Sequence, residues 1–160
     1  MFRTAWVAAL VLAPIAANAL STCNPKTQDC SPFAACVQDT AEVFHGVSFG
    51  RDAGPLEAET KAGVQCSGQW HRGPMGLGIA EFSCSDGRSG NALYTWIDPD
   101  TGTARGKGQF SDGTAVWFWA GNDLGRYFAS TDPDDLADVA CTPPEMLFSG
   151  ADIPLPHRSS

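Results

Sequence analysis

Charge is scarce in this 160-residue chain: 18% of its residues are Asp, Glu, Lys or Arg. Positive charge is scarcer still, with 10 Lys and Arg against 18 Asp and Glu, a formal net charge of −8. That balance argues against a nucleic-acid or anionic-membrane surface, because phosphate backbones attract Lys and Arg. With hydrophobic residues at 43%, low charge also excludes a disordered polyelectrolyte. Beyond the first twenty residues no apolar run is long enough to span a bilayer as a helix. No Cys-x-x-Cys occurs, which removes a thioredoxin-like redox centre. The Cys spacings likewise fit no zinc knuckle. Glu occurs five times, and no carboxylate pair is placed for glycoside hydrolysis.

The N-terminus carries an address. Met1-Phe2-Arg3 is a short positive start, residues 4–16 are apolar apart from Thr4, and Ala17-Asn18-Ala19 is a small-x-small site. This layout predicts a secretory signal peptide over residues 1–19, cleaved after Ala19. An alternative cleavage is also open: Leu20-Ser21-Thr22-Cys23 loosely matches a lipoprotein signal, which would leave the chain lipid-anchored at Cys23. The expected location is periplasmic or secreted. Seven Arg against three Lys, with abundant Ala and Gly, point to a bacterial source.

All six cysteines lie beyond the signal: Cys23, Cys30, Cys36, Cys66, Cys84 and Cys141. An even count in an exported chain predicts three disulfides, with fifteen connectivities open. The remaining chain divides into three zones within one structural domain, residues 20–150. Residues 20–62 are a Cys-rich N-terminal segment. Ser31-Pro32 reads as a helix start, and Phe33, Cys36, Val37, Thr40, Ala41 and Phe44 follow helical spacing, which predicts a helix over 32–44. Residues 50–62, polar and broken by Gly and Pro, read as a loop. Residues 63–129 hold candidate strands at 63–71, 76–84, 91–98, 104–111 and 115–121, with 124–129 a possible sixth. Residues 130–160 are acidic and proline-punctuated. The expected fold is mainly β: an antiparallel meander or small barrel of five to six strands with one short N-terminal helix, stapled by disulfides.

The middle zone repeats. A shift of 26 residues carries Trp70 onto Trp96, Gly76 onto Gly102, and Ser85-Asp86-Gly87 onto Ser111-Asp112-Gly113. A two-residue turn at Asp112-Gly113 would set Gly108 opposite Trp117 and Gly106 opposite Trp119. A similar hairpin around Gly73 would set Gly76 and Gly78 opposite Trp70 and Gly68. Cross-strand aromatics over bare glycines would restore buried surface. Gly68-x-Trp70-x-x-Gly73, Gly76-x-Gly78 and Asp86-Gly87 resemble the membrane occupation and recognition nexus (MORN) repeat. Thr101-Gly102, Gly106-x-Gly108 and Asp112-Gly113 resemble a second, poorer unit. The resemblance spans residues 66–120 and implies tandem β-hairpins that scaffold contacts without catalysis.

Candidate site residues follow from chemistry. Gly46-Val47-Ser48-Phe49-Gly50 matches the Gly-x-Ser-x-Gly nucleophile elbow, but Gly54-Pro55 close behind it leaves no room for the required helix. His45, His71 and His157 have no partner at ligand spacing, so they read as surface or satisfied histidines. Asp98-Pro99-Asp100-Thr101-Gly102 reads as a turn, lacking the oxygen donors of a calcium loop. No metal or cofactor is expected. The best binding candidates are Trp70, Trp96, Trp117 and Trp119, which Tyr94, Tyr127 and Phe128 could extend. Exposed on one face they would suit a glycan or an apolar partner. Buried, they would be core.

The expected function is non-enzymatic: an exported binding or structural module whose partner is a glycan or an envelope protein. Two alternatives stand beside it. One is an exported inhibitor of an envelope hydrolase, with tips at residues 71–75 and 98–103. The other is a small serine hydrolase using Ser48.

Overall fold

The computed structural model describes residues 20–147. The expected signal peptide and the tail beyond residue 147 lie outside the described residues. Eight antiparallel strands run in chain order: β1 (Cys30–Val37), β2 (Val43–Phe49), β3 (Ala53–Thr60), β4 (Gln65–Arg72), β5 (Gly78–Cys84), β6 (Ser89–Ile97), β7 (Ala104–Phe110) and β8 (Ala115–Ala120). Each pairs with its neighbour, and β8 returns to β1, so the sheet closes into a barrel. Two short helices follow, α1 (Leu124–Ser130) and α2 (Pro143–Met146).

This corrects the expected fold in four places. There are eight strands, not five to six, and they close. The helix expected over 32–44 is instead β1 and the start of β2. Strand β1 is apolar on both faces: Phe33, Ala35 and Val37 enter the barrel core, while Ala34 and Cys36 join a second apolar cluster outside it. A strand buried on both sides loses its period-two signal, which left a helical spacing to be read. The loop expected over 50–62 contains β3, where Leu56, Ala58 and Thr60 are buried and alternate with Glu57 and Glu59. The possible strand at 124–129 is α1, which buries Leu124, Tyr127 and Phe128 at helical spacing.

The hairpin register also differs. Four residues, Ser111 to Thr114, separate β7 from β8 instead of two. Phe110 N–H donates to the Thr114 carbonyl at 2.9 Å, and Gly113 takes φ +91°. Gly108 therefore lies opposite Val116 and Gly106 opposite Phe118. Likewise Trp70 lies opposite Ala80 and Gly68 opposite Phe82. A one-residue slip exchanges the faces of a strand, so Trp117 and Trp119 stand outside the barrel, opposite Lys107 and Arg105.

Inward glycines make room for inward rings. A Cβ at Gly46 would collide with the Phe33 ring, and one at Gly90 would sit 2.8 Å from Phe82 Cζ. Phe82 meets Phe110 edge-on at 5.7 Å and Phe118 at 6.0 Å, and Phe44 meets Phe110 at 6.3 Å. These four rings fill the end of the barrel from which β2, β4, β6 and β8 start, leaving a void of about 30 Å³. Arg88 closes that end. Its guanidinium lies 4.6 Å from the Phe110 ring centre and bonds Glu42 at 2.8 Å and Asp86 at 2.7 Å.

Three disulfides staple the chain: Cys23–Cys30, Cys36–Cys141 and Cys66–Cys84. They mark a protein that folds outside the reducing cytoplasm. No helix among the described residues is long and apolar enough to cross a membrane.

Two outcomes are expected. Gly46→Ala should lower the unfolding free energy by about 1–3 kcal/mol through overpacking against Phe33, measured by urea denaturation. The second concerns pH. Burial alone would raise the Asp86 carboxyl, but the Arg88 amide and guanidinium hold it below the usual carboxylate range. Its contribution to stability is therefore complete above its unfolded pKa near pH 4 and is lost as pH falls through its lower folded value. Arg88→Met should flatten this acid limb in urea midpoints taken between about pH 2 and 7. An unchanged limb would show that Arg88 does not hold Asp86 ionised.

Candidate functional site

The opposite end of the barrel is open. The Phe33, Leu56, Trp70, Ala80 and Tyr94 side chains surround a cavity of about 650 Å³ above the phenylalanine floor. Small residues explain why it is empty: Gly78, Ala80, Ala104 and Ala120 line it where larger side chains could have filled it. An eight-stranded barrel is just wide enough either to be packed by its own side chains or to hold one small ligand. This barrel does the first at one end and leaves space for the second at the other.

The polar groups of the mouth are mostly engaged. The Trp70 Nε1–H donates to the Phe49 carbonyl at 2.7 Å. The Ser48 hydroxyl donates to the Ser31 carbonyl at 3.2 Å. At the rim, Arg51 pairs with Asp29 and Arg72 with Asp52, each at 3.2 Å and well exposed. Tyr94 differs. Burial alone pushes its hydroxyl far above the usual tyrosine range, and no hydrogen bond engages it among the described residues. Apolar residues crown the rim. Ile97 is 57% exposed, and Met75, in the β4–β5 loop at φ +59°, is 93% exposed.

The four candidate tryptophans do not form one face. Trp70 lies in the cavity wall. Trp96 borders the cavity mouth beside Ile97, but a bulge between Tyr94 and Trp96 shifts the β6 register and its ring packs on the outer wall. It is 40% exposed, with Arg105 over its ring at 4.6 Å and Tyr127 at 6.5 Å. Trp117 and Trp119 stack at 6.2 Å on the outer wall. Lys107 Nζ sits 3.8 Å from the Trp117 ring centre. Trp119 is buried beneath Phe128 at 5.6 Å. Leu124, Tyr127, Phe128, Cys141 and Met146 cover this wall, fastened to β1 by the Cys36–Cys141 disulfide. His45 adds a further tie: its Nε2 lies 3.0 Å from the Glu145 carbonyl, and burial lowers its pKa.

The other sequence candidates are also placed. Gly46 to Phe49 continue within strand β2, so Ser48 sits on no strand-to-helix elbow. His45 lies on the opposite strand face from Phe44 and Gly46, turned towards α2. The Asp98 carboxylate is occupied within its own turn by the Thr101 amide at 2.8 Å and the Thr101 hydroxyl at 2.5 Å. His157 lies outside the described residues.

Sequence reasoning missed Phe33, Leu56, Ile79, Arg51 and Arg72 as wall or rim residues. The signal for Leu56 was present: Leu56, Ala58 and Thr60 alternate with acids across a run that Gly54-Pro55 disguised as a loop.

No family model and no curated protein matches the chain. Among solved structures, a de novo designed fluorescence-activating β-barrel is 16% identical with a TM-score of 0.45, over 59% of this chain and 91% of that one. A redesigned β-barrel, mFAP0, bound to DFHBI, is 10% identical with a TM-score of 0.46, over 59% of this chain and 97% of that one. At such scores the likeness carries no weight for this chain, and the cavity is judged on its own residues.

One outcome tests the cover over the outer tryptophans. A Cys36→Ala/Cys141→Ala double variant should free the α1–α2 segment and raise acrylamide quenching of tryptophan fluorescence. The disulfide closes a loop with a sequence separation of 105, so its loss should also cost about 5 kcal/mol in the chain-entropy model. Unchanged quenching would mean that the outer wall stays covered without the disulfide.

Proposed function

We propose that the protein is an exported, non-enzymatic carrier or sensor that binds one small, largely apolar molecule in the open end of its barrel, in the periplasm or outside the cell. The observation that carries this reading is the cavity of about 650 Å³ above a packed aromatic floor. Its size falls within the range of small-molecule sites, about 300–1,000 Å³. Its walls are mostly apolar, with polar residues such as Arg51 and Arg72 towards the mouth, and exposed Met75 and Ile97 at the rim give an apolar solute a surface to cross. The outer tryptophans offer no comparable site, since Trp119 is covered.

The test uses N-phenyl-1-naphthylamine, a neutral apolar dye whose emission rises on transfer from water. Saturable binding at one site per chain is expected, weakened at least about ten-fold by Ala80→Phe, which fills the cavity at its floor. Far-UV circular dichroism checks that the variant stays folded. Absent saturable binding, or binding indifferent to Ala80→Phe in a folded variant, would falsify the proposal.

A further inference from the structure

The cavity contains one polar group whose state sets a demand on its occupant. Tyr94 faces inward at the junction of the open cavity and the packed phenylalanine cluster, with its ring 6.1 Å from Phe118. It lies opposite Gly78 and Gly106, whose missing side chains give the ring its place. Among the described residues, Trp119 Nε1 is the one fully enclosed side-chain polar atom without a partner. The Tyr94 hydroxyl, also without a hydrogen bond among the described residues, therefore keeps some accessible surface, and Tyr94 lines both the open cavity and the small void beneath it. An apolar occupant would strip water from this hydroxyl and leave it unpaired, whereas an occupant with an acceptor there would pair it.

We infer that Tyr94 is the specificity-determining residue of the open end, and that the occupant is a flat or elongated apolar molecule with a hydrogen-bond acceptor, such as a carbonyl oxygen, at its leading end. This rests on the proposed binding of a small molecule in the same cavity. Tyr94 stays protonated at neutral pH because burial disfavours its anion, so it serves as a donor. The Trp70 indole cannot take this role, as its N–H is already given to the Phe49 carbonyl. The Ser48 hydroxyl proton is likewise given to Ser31. Arg51 and Arg72 lie at the rim with acidic partners, so they mark the outer end of the site rather than its floor.

The experiment compares 2-acetylnaphthalene with 2-ethylnaphthalene, which match in size but differ in the carbonyl. Wild type should bind the acetyl compound about three- to ten-fold more tightly. Tyr94→Phe should remove that preference while the ethyl compound still binds, at least as tightly as to wild type, which also reports that the cavity survives. The infrared carbonyl stretch of bound 2-acetylnaphthalene should lie lower in wild type than in Tyr94→Phe, a shift that packing alone does not produce. If both compounds bind wild type and variant alike, the role of Tyr94 is overturned while the apolar cavity stands. If neither compound binds wild type, the carrier reading and this inference fall together.

Discussion

The fit of aromatic rings into missing side chains inside a closed eight-stranded barrel is the constraint on which the rest of this structure depends. So few strands enclose little space. Phe33 takes the room left at Gly46, Phe82 the room left at Gly68 and Gly90, and Tyr94 the room left at Gly78. Phe118 stands opposite Gly106. The rings interlock edge to face, the arrangement their quadrupoles favour. Because Phe44, Phe82, Phe110 and Phe118 gather towards one end, the other end, where Gly78, Ala80, Ala104 and Ala120 line the wall, stays open. Core and cavity therefore follow from one distribution of large and small inward residues.

The two ends of the barrel consequently differ in chemistry. Arg88 covers the filled end, with its charge shared between Glu42 and Asp86 and its plane set against phenylalanine. A cation held over a ring and paired with carboxylates seals without requiring another apolar side chain. The open end carries exposed ion pairs, which contribute little to stability, and apolar residues exposed to water. The sealed end suits permanence, whereas the open end suits exchange with solvent and solute.

The outer wall shows how one stretch of chain can serve two environments. Strand β1 points Phe33, Ala35 and Val37 into the barrel and Ala34 and Cys36 towards the C-terminal segment. Strand β8 does the same with Phe118 inside and Trp119 outside. The C-terminal segment thus acts as an external layer over two strands that would otherwise show tryptophan to solvent. The disulfide from Cys36 to Cys141 holds that layer in place.

Local signals determined much of this protein without tertiary help. The paired cysteines set the redox environment, and turn residues around Gly73, Gly87, Gly102 and Gly113 set the ends of β4 to β8. The acidic balance argued against a nucleic-acid or anionic-membrane surface. Tertiary structure decided what depended on a partner strand or layer. Strand β1 was hidden because burial on both faces erases alternation. Strand β3 was hidden by Gly54-Pro55. The tryptophans were legible as candidates, but their separation was not: a four-residue turn turned Trp117 and Trp119 outward, and a bulge turned Trp96 away from Trp70. The cavity was legible least of all. It is defined by small residues on β5, β7 and β8 set against large ones on β1, β3, β4 and β6, and only closure of the sheet makes them face one another.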